Sequence, residues 1–216
     1  MNCAARWAAS MAVTLACGCA ALNPTTAPHP NYYSLDNAAA EAEPPARAPA
    51  SGAAPTLVVS PPYAAAGFDS QRILFVRQAH TLEYYSHSEW IETPARMLAP
   101  LIVAAAARSG AFGAVVLSPS IAAGDLRLDA EVRRLQHEFL GNPSSVRFTL
   151  RATILDSATR QVIATREFEA VAAAPSEDPY GGVVAANLAV REVLASLADF
   201  CASAAHKWRP RAKPPS

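Results

Sequence analysis

Leu126, Leu128, Ala130 and Val132 alternate with Arg127, Asp129, Glu131 and Arg133. A two-residue period of this kind belongs to a strand with one dry face and one wet face. The apolar parity then moves to Leu135 and Phe139, which predicts a bulge near Arg133–Arg134. Gly141-Asn142-Pro143-Ser144 turns the chain, and Val146, Phe148, Leu150, Ala152 and Ile154 alternate again with polar partners. A second turn over Asp156 to Arg160 leads into Val162 to Val171. Three long strands joined by short turns can only be an antiparallel meander, and its dry face demands a cover.

The remaining segments supply that cover and extend the sheet. Val184, Leu188, Val190, Val193, Leu194, Leu197, Phe200 and Cys201 recur at helical spacing between Tyr180 and Ala205. A shorter helix is predicted after Thr93-Pro94, an N-cap followed by proline at the first helical position. Its inward face is Met97, Leu98, Leu101, Ile102 and Ala105, it ends at Ser109-Gly110, and Pro100 should kink it or delay its start. Leu57 to Ser60, Arg72 to Val76, Thr81 to Tyr85 and Ala114 to Leu117 read as short strands, the second and third opposite each other. The expected fold is α+β: a two-layer domain in which two helices pack on one face of a mostly antiparallel sheet.

The N-terminal stretch MNCAARWAASMAVTLACGC has one cation, Arg6, then an apolar run from Trp7 to Ala16, then small residues and cysteine. That is the layout of a secretory signal, too short for a spanning helix. A cysteine directly after small residues is the acceptor of a lipoprotein diacylglycerol, and Cys19 after Gly18 fits this role, with Cys17 after Leu15-Ala16 as the alternative. The only cofactor-like group expected is therefore covalent: diacylglycerol and an N-acyl chain on the mature N-terminal cysteine. Several acyl chains, each buried methylene adding roughly 0.8 kcal/mol, hold such a protein at a bilayer. Ala20 follows Cys19; by resemblance to enterobacterial sorting rules, a residue other than Asp there implies the outer membrane.

The organisation expected is a signal peptide over 1–18, a lipidated tether and disordered Ala/Pro-rich linker over 19–56, a domain over 57–208, and a disordered basic tail over 209–216. Within the tether, Tyr32-Tyr33-Ser34-Leu35 is a strand-like patch, whereas Asn37 to Thr56 has too little apolar bulk to bury a core. Loss of Arg6 with the signal leaves 17 basic against 18 acidic residues, a net charge of −1 that gives no electrostatic basis for nucleic-acid binding. Only Cys201 remains as a thiol once Cys3 and Cys17 leave and Cys19 is acylated, so no intrachain disulfide can form.

No GxSxG elbow, HExxH, Walker loop or GxGxxG occurs in the sequence. His80, His87, His137 and His206 lack metal-ligand spacing, and no metal site is expected. His87-Ser88-Glu89 holds hydrolytic residue types, but sequence neighbours rarely converge into a triad, so no catalytic residues are assigned. Tyr84, Tyr85 and Trp90 form the densest aromatic group. They suit either packing beneath the first helix or anchoring a protein partner.

Several of these features together resemble a known family. Cys19 with its preceding small residues, Tyr32-Tyr33-Ser34-Leu35, Leu57-Val58-Val59 with Pro61, and the run from Gly67 to Val116 resemble the ABC-type transport auxiliary lipoprotein family. LRLDAEVRRLQHEF (Leu126 to Phe139) and LDSATRQVIATREF (Leu155 to Phe168) are similar too. The resemblance implies a non-enzymatic, outer-membrane-anchored periplasmic accessory of an MCE-type ABC system that moves lipids or other apolar compounds, with an MCE-domain protein as partner. A lipoprotein chaperone or plug for another outer-membrane assembly, or a lipid-anchored hydrolase, are the alternatives.

Overall fold

A computed structural model describes residues 29–36, 54–120 and 123–208. The signal, Cys17, Cys19, the Ala/Pro-rich segment and the C-terminal tail from Arg209 lie outside the described residues.

The elements run β1 (Asn31–Tyr33), β2 (Thr56–Val59), β3 (Tyr63–Ala64), β4 (Arg72–Val76), β5 (Glu83–Trp90), α1 (Pro94–Arg108), β6 (Ala114–Leu117), β7 (Leu126–Glu138), β8 (Ser145–Asp156), β9 (Val162–Ala173) and α2 (Pro179–Lys207). The meander is present as the alternation requires. β7 pairs antiparallel with β8 from Leu126↔Asp156 to Glu138↔Ser145, and β8 pairs antiparallel with β9. The register slips between Val132 and Arg134, at the bulge that the parity shift predicts.

The other edge of β7 is shared end to end by three short strands, all parallel to it. β2 takes Leu126 to Leu128, β3 takes Glu131 and Val132, and β4 takes His137 and Glu138. Beyond them β6 runs parallel to β2, β5 antiparallel to β4, and β1 parallel to β5. The sheet is thus mixed: an antiparallel half of long strands and a half whose contacts with β7 are parallel. Periodicity finds strands without naming their partners, so the parallel pairings were not foreseen.

Residues 31–36 belong to this body, which corrects the expectation that everything before Leu57 is tether and linker. β1 extends the sheet, Leu35 is buried in the core, and the Asp36 amide donates to Asn187 Oδ1 at 2.9 Å. Asn187 Nδ2 donates in return to the Ser34 carbonyl at 3.2 Å. The Ala/Pro-rich segment therefore joins β1 to β2 within the domain.

Both helices cover the same dry face and touch each other. α1 buries Leu98, Ile102 and Ala105, with Met97 and Leu101 half-buried beside them, and ends at Ser109 with Gly110 at a positive φ of 66°. It starts at Pro94 and runs through Pro100, whose ring is exposed, so the expected late start does not occur. In α2 the Asp178 carboxylate caps the first turn by accepting from the Gly181 amide at 2.7 Å. The first half of this helix departs from the expected apolar face. Gly181, Gly182, Ala185, Ala186 and Ala189 point inward while Leu188 is exposed, because small residues let the helix approach the sheet closely.

Candidate functional site

The three aromatics singled out in the sequence share β5 but not one surface. Arg72 pairs with Glu89 and Leu74 with Tyr84, so β5 carries three more residues than β4 between those pairs. An odd excess inverts the alternation, which puts Tyr85 on the same side as Trp90 although they are five residues apart. Trp90 is buried in the core and Tyr85 packs half-buried against it. Both are corrected from candidate partner anchors to inward-facing residues. Tyr84 faces out, with the Arg72 guanidinium 4.1 Å above its ring. Cys19 and Cys17 cannot be placed, since both lie outside the described residues.

Tyr85 ends instead in a buried polar chain that sequence spacing did not reveal. Its hydroxyl lies 3.0 Å from His137 Nδ1, and His137 Nε2 lies 2.8 Å from Ser144 Oγ. Ser144 in turn donates its amide to Glu177 Oε1 at 2.9 Å. Two tautomers suit the chain: Tyr85 donates to Nδ1 while protonated Nε2 donates to Ser144, or protonated Nδ1 donates to Tyr85 while Ser144 donates to Nε2. Burial pushes the His137 imidazole below its ordinary value, against the opposing pull of Glu177 and Asp178. Burial likewise raises the Tyr85 phenol to about 12. His137 is 2% exposed and Ser144 0%. Alternation along β7 pointed to Leu135 as an inward residue. His137 is two residues further on, so that parity was the one available signal for its burial.

This constellation bears directly on hydrolysis, because it joins a serine, a histidine and a carboxylate. A nucleophilic serine donates its proton to histidine. Here Ser144 and His137 are almost wholly buried, so no substrate reaches the pair. The void beside His137, lined also by Trp90, Leu135 and Gly182, measures about 10 Å³, the lower limit for one water. The chain is a structural clamp between β7, β5 and the start of α2. Of the sequence neighbours His87-Ser88-Glu89, Ser88 is buried and His87 exposed, on successive positions of β5 that face opposite ways. No group of three or more His, Cys, Asp or Glu among the described residues could hold a metal.

The outward face of the meander is an ionic lattice. Arg147 reaches Glu138 at 3.0 Å and Glu169 at 2.6 Å, tying three strands together. Arg133 at the bulge reaches Glu131 at 3.5 Å and Glu167 at 3.4 Å. An open groove of about 480 Å³ near the other end is lined by Arg127, Asp129, Asp156 and Arg160. Both signs alternate throughout, so this surface concentrates neither.

Comparison with known proteins gives this geometry its context. A solved structure of protein XCC0632 from Xanthomonas campestris, of the DUF330 family, is 25% identical, covers 82% of this chain and 98% of its own, and superposes with a TM-score of 0.66. A second solved structure, of an uncharacterized protein, is 14% identical, covers 80% of this chain and 98% of its own, with a TM-score of 0.62, and shows the same fold. Comparison with curated proteins returns no match. The profile of the ABC-type transport auxiliary lipoprotein component matches residues 33–200, and the chain belongs to that family.

Proposed function

We propose that this protein is the outer-membrane-anchored, periplasmic accessory of an MCE-type ABC transport system, lipidated on Cys19 or, alternatively, on Cys17. The body would meet the MCE-domain protein and hold the membrane end of a conduit for lipids or other apolar compounds. The observation that carries this reading is the family match over residues 33–200. Three features of the chain support it. No helix among the described residues is long and apolar enough to cross a membrane, as suits a body held by lipid. The Ser144–His137 pair is closed to substrate, as suits a role without catalysis. The sequence before β1 has the layout of a lipoprotein signal.

The test is recovery of partners by the full-length protein from envelope extract in mild detergent, with mass spectrometry of the captured chains. An MCE-domain protein should be enriched. Its absence, or its equal recovery by a Cys17→Ser, Cys19→Ser double variant that carries no acyl group, would count against membrane docking. Acyl labelling of the two single serine variants identifies the lipidated cysteine.

A further inference from the structure

The outward surface of the sheet changes character across its width. Over β7 to β9 it is the ionic lattice. Over β1, β5 and β4 it carries Tyr32, Tyr84 and Ile91, which are 59%, 51% and 61% exposed. These three share one face. Tyr32 is the register partner of Glu89, and Glu89 is the partner of Arg72, which lies over the Tyr84 ring. The Ile91 amide donates to the Tyr33 carbonyl at 2.8 Å, which holds it beside the same strand pair. Their chain neighbours Tyr33, Ile73, Tyr85 and Trp90 all pack inward.

We propose that this face, Tyr32, Tyr84 and Ile91 with Arg72 among them, rests on the interfacial region of the bilayer to which the protein is anchored. The inference relies on the proposed lipid at Cys19. Eleven residues lie between Cys19 and Asn31, and a fully extended chain over that interval reaches about 43 Å at most. An ordinary coil of that length spans about 20 Å. A body of this size has a radius of gyration of about 15 Å, so β1 stays within roughly one body diameter of the headgroups. The face beside β1 is the one the tether brings down. Its composition suits that environment: tyrosine seats a ring among acyl chains with its hydroxyl at the headgroups, isoleucine adds apolar area, and arginine pairs with lipid phosphate. Glu89 lies on this face and stands opposite Arg72. Of the aromatics that could anchor a protein partner, only Tyr84 is exposed, and this placement assigns it to lipid.

The experiment uses the mature lipidated protein, purified from membranes and reconstituted in vesicles of phosphatidylethanolamine and phosphatidylglycerol. Cys201 is buried, so an environment-sensitive dye reports from single introduced cysteines. The sites are Tyr32→Cys, Tyr84→Cys and Ile91→Cys, with Val162→Cys and Tyr180→Cys as comparably exposed apolar controls elsewhere. The expected result is a blue shift, with quenching by nitroxide-bearing lipids, at the first three sites and at neither control. Tyr32→Ser with Ile91→Ser should return the dye at position 84 to a water-like signal. Water-like emission at all three sites in protein that floats with the vesicles overturns the membrane contact and leaves the anchor standing. So does a shift that appears only after envelope proteins are added, which would mark a protein-docking face. Purified chain whose mass shows no acyl group overturns the anchor and this contact together.

Discussion

His137 Nε2 and Ser144 Oγ share a hydrogen bond of 2.8 Å, joining the end of β7 to the residue that leads into β8. The pair is sealed from solvent, and burial favours its neutral imidazole.

That neutrality makes stability depend on pH. The folded imidazole titrates below the ordinary histidine value, so the unfolded chain binds the proton first as pH falls. The contribution is complete above the unfolded value and is lost as pH drops below it. Urea unfolding at about pH 8 and at about pH 5.5 should give a lower midpoint at the acidic value. His137→Gln should be less stable at the higher pH and show a flatter dependence between the two.

Gly182 faces the same ring. A Cβ there would stand 2.5 Å from His137 Nδ1, so the ring or the helix must move. Gly→Ala inside an exposed helix ordinarily stabilises by about 0.5–1 kcal/mol. Gly182→Ala should instead destabilise by about 1–3 kcal/mol through overpacking. Thermal or denaturant melts read the sign directly. Tyr85→Phe, which only removes the hydroxyl partner of Nδ1, should cost about 1 kcal/mol.

Arg147 compensates Glu138, which is 8% exposed. Burial alone would raise that carboxyl, but hydrogen bonds from Arg147 and Gln136 outweigh it and hold the group below the usual range. Its contribution is present above the ordinary carboxylate value and is lost as pH falls through the folded one. Arg147→Ala should cost about 2 kcal/mol, less than a fully buried pair, because Arg147 keeps some exposure. A double-mutant cycle with Glu138→Gln isolates the coupling, and Arg147→Lys should recover only part of it because the fork to Glu138 and Glu169 is lost.

Leu35 tests the place of the N-terminal segment. It fills the core from a position ahead of the Ala/Pro-rich stretch. Leu35→Ala should cost about 2–4 kcal/mol. Replacing residues 38–52 by Gly/Ser of equal length should leave the melting temperature unchanged.

What could be read from the chain followed from what periodicity encodes. β7, β8 and β9 each alternate over many residues, so their extent, their turns and the slip near Arg133 were legible. α1 was legible from Thr93-Pro94 and from Ser109-Gly110. Partners across a sheet are set by packing between distant segments, and nothing local in Leu57–Val59 or Arg72–Val76 says that both run parallel to β7. The inversion that turns Trp90 and Tyr85 to one side arises from unequal strand lengths between paired residues, which alternation alone cannot show. His137 looked isolated because Tyr85, Ser144 and Glu177 lie on three other segments. Tyr32 to Leu35 resembled a strand, yet only contact with β5 and Asn187 shows that it belongs to the body.

The insertion between β1 and β2 separates two properties that a linker usually combines. A loop closed at both ends by the same fold pays only a slowly growing entropy, about 0.6 kcal/mol for each doubling of its length. Residues 37–53 can therefore lengthen, shorten or accept a tag without altering the height at which the body stands. If Cys19 carries the lipid, that height is bounded by the length of chain between Cys19 and Asn31. Any conduit that meets this protein must then come down to the bilayer to do so.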